Sequence, residues 1–171
     1  GRLYTSNELT CNQIKVVVQD KYGFIWVGTN YGLNRFDGYT FTSYLCNPND
    51  PTSIQDNGIV RLLPYDKESM YVATNNGLYR YSYSNNSFEL IPIPGRSEKI
   101  RVSELVEDKQ HNILIGTAGY GVYKLDVATG AVIKLDKPFA NSIDNFYSHM
   151  YFDAQGYLWQ FNHTDIFRKY K

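Results

Sequence analysis

The chain has 171 residues, the size of one ordinary domain, and its 43% hydrophobic side chains suffice for a core. Seventeen basic and seventeen acidic side chains cancel without forming long runs of either sign, which argues against the basic stripe of a nucleic-acid interface. No apolar run approaches the ~20 residues that span a bilayer, so insertion of this chain into a membrane is not expected.

Gly1–Leu9 does not look like a signal peptide, and Gly1–Ser6 (GRLYTS) reads as a strand within a lead-in over residues 1–13. The first unit occupies residues 14–45. Ile14–Asp20 (IKVVVQD) is β-branched and apolar, and is expected to be a strand buried on both faces. Asp20–Gly23 is a hairpin turn with glycine available for positive φ. Phe24–Thr29 follows as a second strand, in which Gly28 marks the close approach of another backbone. After the turn Asn30–Gly32 and a third strand Leu33–Phe36, Asp37-Gly38 predicts a type I′ turn. Tyr39–Tyr44 alternates as an outer strand should.

The same plan returns. The second unit, residues 57–93, uses Gly58–Tyr65, Met70–Thr74, Leu78–Tyr83 and Phe88–Ile93. The third, residues 100–135, uses Ile100–Asp108, Ile113–Thr117, Gly121–Asp126 and Val132–Leu135. The fourth, residues 146–170, offers Tyr147–Asp153, Tyr157–Phe161 and Ile166–Tyr170, and lacks an outer strand. The anchors Asp20, Asp66, Asp108 and Asp153 lie 46, 42 and 45 residues apart. That period is the length of one supersecondary unit that stacks on its neighbours to bury its faces. The expected fold is therefore all-β: a β-propeller segment of about four four-stranded antiparallel blades in one domain. Gly1–Ser6 could supply the strand missing from the fourth unit and close a small four-bladed ring. The alternative, favoured by the aromatic-rich faces, is the amino-terminal part of a larger propeller. In that case its open ends would let two copies pair.

No catalytic motif is present, and no metal or cofactor is expected. The recurring aspartates are turn formers, whose side chains bond to backbone two residues on. Trp26 and Trp159 fill one slot of the repeat and are assigned to packing between blades. His111, His149 and His163 are single, and Cys11 and Cys46 read as free, packed thiols. A binding site would sit on loops at one end of the strands. There the second-to-third-strand turns differ between otherwise similar repeats, and they carry Tyr31, Asn75, Asn76, Tyr120 and His163. Tyrosine faces beside amides and hydroxyls suit a sugar, which stacks its apolar face and hydrogen-bonds at its rim.

Ile14–Tyr44, with its core QDKYGFIWVGTNYGLNRFDG, resembles the two-component regulator propeller repeat. Asn47–Ile59 (NPNDPTSIQDNGI) looks like the stretch joining the first two blades of that family, and Tyr4–Ile14 resembles its start after signal cleavage. The second and third repeats are similar. The fourth departs, with Gln160-Phe161-Asn162 in place of Val-Gly-Thr and Asp165 in place of the turn glycine. The resemblance implies the periplasmic sensor region of a hybrid two-component histidine kinase of gut anaerobes, its parent anchored in the inner membrane. It further implies an oligosaccharide ligand, a homodimeric receptor, and a kinase lying outside this chain. Two other readings stay open: a streptogramin-lyase-like propeller enzyme, which would need a histidine such as His163 at the ring mouth, and a plain protein-interaction propeller.

Overall fold

The computed structural model describes residues 4–95, 100–135, 147–162 and 167–170, and every described element is a strand. Two compact units are present, Gly1–Ile91 and Pro92–Lys171.

The first unit holds two sheets. One is built from β1 (Tyr4–Ser6), β2 (Ile14–Gln19), β3 (Ile25–Thr29), β4 (Gly32–Phe36) and β5 (Phe41–Tyr44), in the order β1-β5-β4-β3-β2. The other is the meander β6 (Ile59–Pro64), β7 (Ser69–Thr74), β8 (Gly77–Ser82) and β9 (Ser87–Ile91). The second unit repeats the meander in β10 (Val102–Glu107), β11 (Ile113–Thr117), β12 (Gly121–Leu125) and β13 (Val132–Lys134). Its other sheet has three described strands, β14 (Tyr147–Phe152), β15 (Leu158–Asn162) and β16 (Phe167–Tyr170). All neighbours are antiparallel, as short strands joined by tight turns require. The first strand of each repeat carries a register shift at the same place: Ile14/Val16, Ile59/Arg61, Val102/Glu104 and Tyr147/His149. A bulge repeated at one position is a built feature that sharpens the local twist.

Three expectations are corrected. The lead-in strand belongs to the first sheet and not to the fourth: β1 pairs with β5, Tyr4 opposite Ser43. The open edge of β5 offers unpaired backbone groups, and Asn34 anchors the chain just after β1. The Asn34 amide oxygen accepts from the Thr10 N–H and the Ser43 hydroxyl, at 3.2 and 3.0 Å, while its Nδ2 donates to Thr10 Oγ1. Secondly, β2 is not buried on both faces. Val16 and Val18 pack toward the second sheet, whereas Ile14 and Val17 are 51% and 55% exposed. Alternation along the strand gives its other face no cover within the unit. Thirdly, the Asp37-Gly38 hairpin has positive φ only at Gly38, at 101°, with Asp37 N–H donating to Thr40 O. Type I′ needs positive φ at both central residues, and Tyr39 does not have it.

The close approach expected at Gly28 comes from side chains. A Cβ there would lie 2.5 Å from Ile59 Cγ2 and 2.7 Å from Val16 Cγ1, so only glycine lets β6 pack onto β3. Around this contact the first unit buries Trp26, Leu33, Tyr44, Ile54, Met70, Tyr79, Tyr81 and Phe88. The second unit is cored by Leu114, Val122, Met150 and Leu158. Cys11 and Cys46 are free and half-buried.

Candidate functional site

The first three repeats fix both hairpin ends with like side chains, and the fourth shares the aspartate end. At one end the anchor aspartate accepts backbone N–H groups. Asp20 Oδ1 takes those of Tyr22 and Phe24, Asp66 Oδ1 those of Glu68 and Ser69, Asp108 Oδ1 those of Gln110 and Asn112, and Asp153 Oδ1 that of Tyr157. Their second oxygen has a further role. Trp26 Nε1 donates to Asp20 Oδ2 at 2.6 Å, and Trp159 Nε1 to Asp153 Oδ2 at 2.7 Å. Trp26 then packs its ring on Tyr81 of the next sheet, 5.0 Å between centroids, as assigned. These carboxylates are consumed by structure and carry no catalytic arrangement. His111 takes the position that glycine holds in the first and fourth repeats, with φ of 63°, and its Nδ1 meets Glu107.

The other end carries the candidate binding turns. A buried threonine closes each of the first three: Thr29 Oγ1 donates to Gly32 O, Thr74 Oγ1 to Gly77 O, and Thr117 Oγ1 to Gly121 O. The glycines have φ of 111°, 138° and 91°, which a side chain would strain. A backbone bond ties each turn to the segment leading into its own sheet: Asn30 N–H to Gln13 O, Asn75 N–H to Gly58 O, and Ala118 N–H to Arg101 O. Within the first unit the linker joins two of the turns, because Gly32 N–H donates to Asn57 O at 2.7 Å beside the Gly58 bond to Asn75. Tyr31, Asn75 and Asn76 are thereby set at one end of that unit, all exposed, Tyr31 at 56%. The linker and turns share this end, as their strand directions imply. Tyr120, half-buried, lies on the corresponding turn of the second unit. His163 lies outside the described residues.

Sequence reasoning missed the threonine latches, although Thr29, Thr74 and Thr117 recur in register. It also missed the cation on the third strand of each unit. Arg35, Arg80 and Lys124 stand opposite Trp26, Tyr71 and Leu114, and the Arg35 guanidinium lies 4.7 Å over the Phe24 ring. Nor did it see that the lysine after the anchor aspartate bridges sheets: Lys21 Nζ donates to Tyr65 O, and Lys109 Nζ to Ala154 O. In the second unit His149 Nδ1 stands 3.2 Å from the buried Glu104 Oε2.

Residues 8–31 match the two component regulator propeller family. A histidine kinase P4 of Formosa agariphila is 60% identical over 38 residues, which are 22% of this chain and 3% of that protein. The extracellular domain of a putative hybrid two component system of B. thetaiotaomicron superposes with a TM-score of 0.73 at 21% identity, over 98% of this chain and 32% of that one. A second such domain from B. thetaiotaomicron gives 0.70 at 21% identity, over 91% of this chain and 21% of the other. A catalytically inactive virginiamycin B lyase from Staphylococcus aureus, solved with quinupristin, gives 0.68 at 10% identity, over 99% and 60%. The chain thus spans about a third of the first of these structures and a small part of the curated kinase. It has the fold of a β-propeller segment, and residues 8–31 match the two component regulator propeller family.

Proposed function

We propose that this chain is the non-catalytic sensing segment of a periplasmic two-component receptor, and that it recognises a glycan-derived oligosaccharide. The observation that carries the reading is the family repeat at residues 8–31, folded in a segment shaped like the extracellular domains of such systems. The turn geometry supports a ligand role. Backbone bonds and buried threonines hold the turns, which leaves the side chains of Tyr31, Asn75 and Asn76 for contact. In this reading the chain belongs to the amino-terminal part of a larger propeller whose parent is anchored in the inner membrane and carries the kinase. The receptor is a homodimer. Ligand that binds one arrangement of the two copies better than another shifts the population toward it.

Melting of the chain with and without candidate oligosaccharides tests this. A ligand at 100 times its Kd adds ~2.7 kcal/mol, which raises Tm by about 5–10 °C for a chain of this size. Replacing Tyr31 and Tyr120 with Ala should flatten the dose response. An unchanged dose curve in the double variant refutes the turn residues as the site.

The lyase-like reading has one feature in its favour, the exposed His149 ring held by a buried carboxylate, the arrangement that orients an acid–base imidazole. Turnover of a bound ligand that stops in His149→Ala would decide for it.

A further inference from the structure

At the aspartate end of the first unit, a cleft of about 420 Å³ opens between the β2–β3, β6–β7 and β8–β9 turns. Part of its wall is aromatic, since the Tyr22 and Tyr83 rings meet edge-on with centroids 5.1 Å apart. Tyr22 is fixed there by its hydroxyl, which donates to Lys67 O at 2.7 Å. The Arg35 guanidinium, 4.7 Å over the Phe24 ring, also lines the cleft. Its Nε is buried and has no hydrogen-bond partner among the described residues. A buried donor without an acceptor is a cost that an acceptor from a ligand removes. The Tyr44 and Tyr81 phenols, which also feel the Arg35 charge, are uncharged at neutral pH. The β6–β7 turn adds Lys67 and Glu68, both exposed, whose side chains form no ion pair among the described residues.

The lining thus sets two cations against one carboxylate. The carboxylates behind it are already met by donors. Asp20 holds the N–H groups of Tyr22 and Phe24 and the Trp26 indole, and Asp66 those of Glu68 and Ser69. An oxyanion entering the cleft gains Arg35 and Lys67 and faces Glu68 alone. The guanidinium carries its donors in a planar fork that matches a carboxylate or a sulfate. A sugar ring bearing that oxyanion lays its apolar face on a tyrosine. Its hydroxyls find acceptors in the Glu68 carboxylate and the exposed Ser84 hydroxyl, which a purely hydrophobic acid would leave idle. The volume lies within the ~300–1,000 Å³ of ordinary ligand pockets.

We propose that this cleft binds the oxyanion of an acidic sugar, a carboxylate or a sulfate ester, at a site separate from Tyr31, Asn75 and Asn76. The proposal rests on the oligosaccharide reading above and names an acidic ligand class for it. The ¹⁵N-labelled 171-residue chain, titrated with galacturonic acid, its methyl ester, galactose 6-sulfate and galactose, tests it. One or both acids should shift the Arg35 Nε–H signal and the backbone amides of Lys67, Glu68 and Ser84. The methyl ester and galactose should not, and the acid that acts identifies the oxyanion. Lys67→Ala should weaken that acid at least about threefold, and Arg35→Gln at least about tenfold. The Lys67 ammonium makes no hydrogen bond or ion pair among the described residues, so its variant keeps the fold. Unchanged affinity in Lys67→Ala overturns the site even where Arg35→Gln does not fold. Equal shifts by galactose or the methyl ester overturn the acidic class. Shifts confined to residues 30–31 and 75–76 overturn the cleft and leave the sensing reading intact. No shift with any of the four probes also overturns the cleft, while melting with longer oligosaccharides judges the sensing reading separately.

Discussion

The two units use one skeleton and fill it differently. In the first, Trp26 stacks on Tyr44 at 5.4 Å and meets Tyr81 edge-on, and Tyr81 in turn meets Tyr83 and Phe88. In the second, the equivalent space is taken by Leu114, Val122, Met150 and Leu158. Bulges, threonine latches and turn aspartates are common to both. The repeat specifies backbone path and turn chemistry, while the filling of the core is left to volume. Aromatic pairs add about 0.5–1.5 kcal/mol each beyond area buried, so the first unit should depend more steeply on single side chains.

Trp26→Ala against Trp159→Ala is the hardest test of that contrast. Trp26 is fully buried, and its loss opens a cavity and strips the indole donor from Asp20. The expected cost is about 3–5 kcal/mol. Trp159 is half-buried and gives up mainly its bond to Asp153, for about 2 kcal/mol. Urea midpoints of the two variants measure the difference, and equal losses would deny the first unit its special dependence on aromatics.

Alkaline pH sharpens it. Burial pushes Tyr71 and Tyr79 up to about 12, and raises Tyr44, Tyr81 and Tyr83 as well; all five belong to the first unit. The folded value lies above the unfolded ~10, so the folded state keeps protons that the unfolded state gives up. Stability is therefore full below about pH 10 and lost as pH rises toward 12, by at most about 1.4 kcal/mol per pH unit for each tyrosine. Unfolding followed by Trp26 fluorescence in Trp159→Phe should show this fall between about pH 10 and pH 12. A flat profile would mean that the phenols are reached by water.

The smallest contrast concerns two equivalent glycines. Gly28→Ala drives a methyl against Ile59 and Val16, and should cost about 1–3 kcal/mol. At Gly116 the nearest atom is the flexible Met150 Cε at 3.2 Å, so Gly116→Ala should cost less than about 1 kcal/mol by urea unfolding.

Most of the strands were legible because they alternate and because Asp, Asn and Gly punctuate them at a fixed period. The partner of Gly1–Ser6 was not legible. Its described part, β1, is three residues long, and nothing in so short a run specifies an edge; the choice is made by Asn34, 24 residues away from Thr10. The exposure of Val17 was hidden for a related reason, since a β-branched run reads alike whether its second face is covered or open. At the candidate site, the positions of Tyr31, Asn75 and Asn76 followed from counting strands. The Tyr44–Asn86 contact joins residues 42 apart through a left-handed turn, and a local reading has no means to foresee it.

The bonds that hold Asn30, Asn75 and Ala118 run from main chain to main chain. Almost any amino acid can occupy the neighbouring tip without loosening the hairpin, as the change from Tyr31 to Asn76 to Tyr120 illustrates. Such a rim can acquire new chemical preferences one mutation at a time, with the scaffold beneath indifferent to the choice.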